Sequence, residues 1–128
     1  MSPERIINAP YSYMSDIWSL GIVLQECATG CYPLAMQGAC IEMAQTILDA
    51  QFTDFPAHFS AEFRDFLGHC LRKDPNTRLS AEALLSHPWL LRHQASSFEA
   101  ARSTVRDWIR SLSHESASAT ALQSTAHK

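Results

Sequence analysis

Between Ser15 and Gly30 apolar side chains fall on every side of a helical projection. Ile17, Trp18, Leu20, Ile22, Val23, Leu24, Cys27 and Ala28 leave no consistently polar face, which predicts a helix buried all round. Ser15 suits its N-cap, Asp16 puts negative charge at its positive end, and Gly30 suits its C-terminal stop. Turn signals then mark a second helix over Ala39 to Ala50 and a third from an N-cap at Ser60 to about Arg72. A fourth, capped by Ser80, ends near His87-Pro88, with Leu84, Leu85, Trp89 and Leu90 as its apolar face. Phe98, Ala101, Val105, Trp108, Ile109 and Leu112 recur at helical spacing, so one more amphipathic helix is predicted over residues 97–113. The Ser-, Ala- and Thr-rich stretch beyond Ser113 reads as disordered. No run alternates as a strand would, and the fold class is therefore all-α.

Composition narrows the classes. With 46% hydrophobic and 18% charged residues in a chain of 128, one small globular domain is expected. No basic segment followed by an apolar one opens the chain, and its longest apolar stretch is broken by Ser19, Gly21, Gln25 and Glu26. Neither a signal peptide nor a membrane span is expected, and the location that follows is cytoplasmic. Cys27, Cys31, Cys40 and Cys70 lack paired spacing, so they read as free, mostly buried thiols. The net charge of −3 is uneven: residues 1–91 hold five Lys/Arg and ten Asp/Glu, residues 92–128 five and three. This excess is too small for a nucleic-acid footprint and suits a protein contact better.

Four short motifs matter more through their order than singly. Ser2-Pro3-Glu4 precedes Asp16-Ile17-Trp18-Ser19-Leu20-Gly21, then Asp74-Pro75-Asn76-Thr77-Arg78, then His87-Pro88-Trp89. The series resembles the C-terminal part of the C-lobe of a eukaryotic protein kinase, helices F to I, with a tail helix after it. "MSPER", "TGCYPL" and "FSAEFRDFLGHCLRKDP" look most like the MAP kinase kinase, or STE7-like, dual-specificity group. The resemblance covers residues 1–91, and residues 92–128 read as a C-terminal extension. A Met commonly precedes this motif in that group, so the chain is expected to be a fragment of a longer product.

The resemblance implies roles. Ser2, Pro3 and Glu4 would close the activation segment, and Glu4 would form a buried ion pair with Arg78. Asp16 would hold the catalytic loop, Trp18 and Gly21 would belong to the scaffold, and Val23 and Cys27 would support the hydrophobic spine. The full-length parent would use ATP and Mg²⁺ to phosphorylate a downstream MAP kinase. In these 128 residues there is no H-R-D, no D-F-G and no Gly-rich loop, so no catalytic, cofactor-binding or metal residue is assigned and the chain alone is expected to be inactive. His69, His87 and His93, with no carboxylate or second His at ligand spacing, read as structural.

The tail adds a candidate surface. Arg102, Arg106 and Arg110 follow at i+4 steps beside Val105, Trp108, Ile109 and Leu112, an apolar seam edged with positive charge. Position and pattern resemble the segment by which MAP kinase kinases dock upstream kinases. A seam that merely packs on the lobe is the plainer alternative. For the whole chain, a non-catalytic docking or interaction module competes with the kinase fragment, and an unrelated helical domain is a weaker third reading.

Overall fold

The computed structural model describes residues 1–33, 40–50, 52 and 55–125, without the side chains of Cys40, Ile41, Met43 and residues 113–125. Its elements are α1 (Pro3–Ile6), α2 (Met14–Thr29), α3 (Cys40–Asp49), α4 (Ala61–Cys70), a 3-10 turn (Pro75–Thr77), α5 (Ala81–Leu85), α6 (Pro88–Arg92) and α7 (Phe98–Thr125). No strand occurs among the described residues. The fold is all-α.

Local chemistry sets most helix ends. Ser60 and Ser80 each accept a hydrogen bond from the backbone N–H three residues on, capping α4 and α5. Gly30 closes α2 in the left-handed region at φ 70°, where the lack of a Cβ removes the steric cost. Ser15 is not a cap: α2 begins at Met14, and the Ser15 hydroxyl turns inward. The predicted fourth helix is two. α5 stops at Leu85 and α6 restarts at Pro88, because proline favours the first helical position and His87 supplies a side-chain cap. Trp89 and Leu90 thus belong to α6, while Leu85 is exposed. Ala39, the expected start of α3, lies outside the described residues.

The core forms where α2 crosses α4. Ile17, Trp18 and Ile22 meet Phe66, Cys70 and Leu71, with Ile47 of α3 and Leu84 of α5 closing the sides. α2 is not buried all round: Leu20 and Val23 are 40% and 53% exposed, because no described element covers that face. The tail helix also departs from expectation. Its backbone runs past Ser113 to Thr125, as a stretch without Gly or Pro allows. Its seam stays largely uncovered among the described residues, with Phe98, Val105, Trp108, Ile109 and Leu112 all exposed.

Candidate functional site

Two charged residues 74 positions apart meet at the centre of the lobe. Both guanidinium ends of Arg78 donate to the Glu4 carboxylate at 2.8 Å, one to each oxygen. The remaining donors go to the carbonyls of Met14 (2.7 Å), Arg72 (2.7 Å) and Lys73 (3.1 Å). All five N–H groups of the arginine are thereby used, which is what lets it lie only 4% exposed. The 3-10 turn places it: Asp74 caps that turn by accepting from the Asn76 N–H, and Arg78 follows at its end. Proline at the first position of α1 orients Glu4 beneath it.

Around the pair stands a short polar chain. Ser15 donates to Glu4 Oε1 at 2.7 Å, and Ser2 donates to Ser15 at 3.1 Å. Burial pushes the Glu4 carboxyl up, but hydrogen bonds from Arg78, then from Ser15, its own backbone and Ser2, outweigh it and hold the group at about 2. The Trp18 ring, 1% exposed, lies 5.2 Å from the guanidinium carbon and adds a cation–π contact. Pro3 is buried at the same place.

Of the other residues the sequence singles out, Gly21 lies in the core contact between α2 and α4, where a side chain would collide with Cys70 and Leu71. Asp16 is in the first turn of α2 and exposed. Val23 and Cys27 lie on the uncovered side of α2. Arg102, Val105, Arg106, Trp108, Ile109, Arg110 and Leu112 sit on α7, apart from the buried pair and exposed. The thiols are also not mostly buried. Cys27 and Cys31 are exposed; burial pushes the Cys70 thiol up to about 12, against a smaller opposing effect of Arg78.

Ser15 was missed as a partner of Glu4, and nothing in the sequence marks it. A second group was missed too. Asp65, His69 and His87 present ligand-type atoms within 4.8 Å of one another, so the expectation that no carboxylate or second His stands near these histidines is overturned. The spacing of Asp65 to His69 was legible as i, i+4. Yet the group is built as a brace. His87 Nδ1 accepts from the Trp89 N–H at 3.2 Å, so neutral imidazole carries its proton on Nε2, which donates to Asp65 Oδ2 at 3.1 Å. A metal at Nε2 would displace that proton onto a nitrogen already facing a donor. Mg²⁺ in particular calls for oxygen ligands, so these residues do not fit it.

The order of these elements and the buried pair agree with what the family comparison finds: a protein kinase domain model matches residues 1–90. The chain belongs to the protein kinase family. It is closely related to MAP kinase kinases. Mitogen-activated protein kinase kinase 3 of Arabidopsis thaliana is 48% identical over 95 residues, 73% of this chain and 18% of that protein. Mitogen-activated protein kinase kinase 2 of the same plant is 43% identical over 103 residues, 75% of this chain and 28% of its own length. Dual specificity mitogen-activated protein kinase kinase dSOR1 of Drosophila melanogaster is 35% identical over 116 residues, 70% and 29% respectively. The chain thus spans less than a third of these kinases, and no helix of its described residues is long and apolar enough to cross a membrane.

Proposed function

We propose that these 128 residues are the C-terminal part of a MAP kinase kinase acting in the cytoplasm, whose longer chain transfers the γ-phosphate of ATP, with Mg²⁺, to Ser/Thr and Tyr of a downstream MAP kinase. Residues 1–91 supply the floor of the catalytic lobe, and residues 92–128 a C-terminal extension. The observation that carries this reading is the fully bonded Arg78 guanidinium on Glu4. Phosphoryl transfer depends on positioning, and this pair ties Ser2-Pro3-Glu4, the end of the segment that would receive substrate, to the helices beneath. Asp16, Trp18 and Gly21 serve the same scaffold. No residue here does the chemistry, and ATP and Mg²⁺ belong to the longer protein.

The exposed seam of α7 favours a second role in the same protein. Val105, Trp108, Ile109 and Leu112, edged by Arg102, Arg106 and Arg110, would dock an upstream activating kinase through an acidic-rimmed groove. The same seam would serve a non-catalytic interaction module equally well.

The gene decides between these readings. An open frame upstream of Met1 that continues through H-R-D and D-F-G codons, and whose product phosphorylates a MAP kinase, is the expected result; a stop codon immediately upstream would favour the interaction module. In that longer product, Ala at Val105, Trp108 and Ile109 should abolish pull-down of the upstream kinase and leave basal activity. Unchanged pull-down would refute the docking role.

A further inference from the structure

One open cavity of about 750 Å³ lies between Phe52 and Phe55, which follow α3, and α4 with the residues just after it, and it collects positive charge in an acidic body. Residues 1–91 hold only five Lys/Arg against ten Asp/Glu. Three of those five, Arg64, Arg72 and Lys73, line this cavity. Of the other two, Arg78 is consumed by Glu4, and Arg5 lies over the Tyr11 ring at 5.1 Å. Arg64 and Arg72 have no ion-pair partner among the described residues. Among the described residues the one acid that lines the cavity, Asp65, is engaged by His69 and His87 instead.

Shape adds to charge. Arg64 and Gly68 lie one turn apart on α4, and Arg72 lines the cavity from just beyond the end of that helix, so Gly68 leaves bare backbone near both arginines, and a Cβ there would meet nothing within 4 Å. Phe52 and Phe55, both half-buried, form an apolar wall beside them. Lys73 gives one of its three N–H groups to the Leu48 carbonyl, which anchors it at the cavity's edge, while no described carboxylate pairs with the two guanidiniums.

We infer that this cavity binds an aryl phosphate, the phosphotyrosine side chain of a peptide. Guanidinium forks match phosphate oxygens in paired hydrogen bonds, and the phenylalanine wall covers the ring that carries the phosphate. The volume lies within the range of small-ligand sites. A carboxylate would satisfy fewer donors, and an aliphatic phosphate would leave the wall wet.

The test uses the whole 128-residue chain, labelled with ¹⁵N. Phenyl phosphate should shift the Gly68 amide saturably, more tightly than inorganic phosphate, while benzyl alcohol should not. A phosphotyrosine peptide should then bind, and its unphosphorylated form should not. Joint replacement Arg64→Ala/Arg72→Ala should weaken phenyl phosphate binding by about tenfold or more. Both arginines are exposed, so the fold is not at stake. Gly68→Leu should fill the cavity and abolish binding, while its better helix propensity holds or raises the Tm. No saturable shift at Gly68, or unchanged affinity in both variants, would overturn the site. Equal affinity for inorganic phosphate would overturn the aryl preference, and equal binding of the unphosphorylated peptide the phosphate.

Discussion

Gly21 of α2 and Cys70 of α4 approach so closely that a Cβ on residue 21 would stand 2.8 Å from that of Cys70 and from the Leu71 side chain. The Leu71 tip could turn aside, but the Cys70 Cβ is fixed to its helix. Gly21→Ala should therefore push the two helices apart and cost about 1 to 3 kcal/mol, despite alanine being the better helix former. Urea unfolding followed by circular dichroism reads this directly; a gain in stability would show that the helices adjust freely.

The buried pair should respond non-additively. Arg78→Ala leaves the Glu4 carboxylate buried without its main partner, and Glu4→Gln leaves a buried guanidinium facing a neutral amide. Each should cost about 3 to 5 kcal/mol. The double variant Glu4→Gln/Arg78→Met should cost less than the sum, because neither charge then remains stranded. Additive losses in the double-mutant cycle would mean that the two side chains act independently.

Acid should loosen the lobe at the same place. The Glu4 carboxyl titrates at about 2 when folded and near 4.5 when not, so the unfolded chain binds its proton first as pH falls. The stability this group contributes is complete above about pH 4.5 and is lost progressively as pH falls towards 2. Stability measured across that window should decline in the parent chain and decline less steeply in Glu4→Gln.

Thiol chemistry should divide the cysteines. Exposed Cys27 and Cys31 should alkylate in the native chain, whereas Cys70, enclosed and held as the neutral thiol, should react only after unfolding. Peptide mapping after brief iodoacetamide treatment distinguishes them. Native labelling of Cys70 at a comparable rate would indicate that α2 and α4 separate readily.

What the sequence disclosed depended on how local the signal was. The caps at Ser60 and Ser80 and the stop at Gly30 are set by a few neighbouring residues and were legible. The meeting of Glu4 with Arg78 was legible only through motif order, since nothing in either neighbourhood requires it. Ser15 misled because serine ahead of an acid and an apolar run is a good cap; starting α2 one residue earlier turned its hydroxyl to Glu4 instead. His87 was legible as the cap before Pro88-Trp89 only through its motif, and its partner Asp65 lies 22 residues away on another helix, beyond any spacing rule. The seam of α7 shows the limit from the other side. Periodicity announces that a face is apolar and says nothing of what will cover it.

The arginine with every donor engaged also has a consequence in time. Glu4 leaves the ribosome 74 residues ahead of Arg78. At roughly 5 to 20 residues per second the acid waits about 4 to 15 s for the cation that makes its burial favourable. Until then docking of α1 would bury an unpaired carboxylate, although α2 and α3 have already emerged. α1 thus settles only after α2, α3 and α4 have been made, although it precedes them, and a codon change that slows translation between α4 and the 3-10 turn would lengthen the period in which the lobe is unlatched.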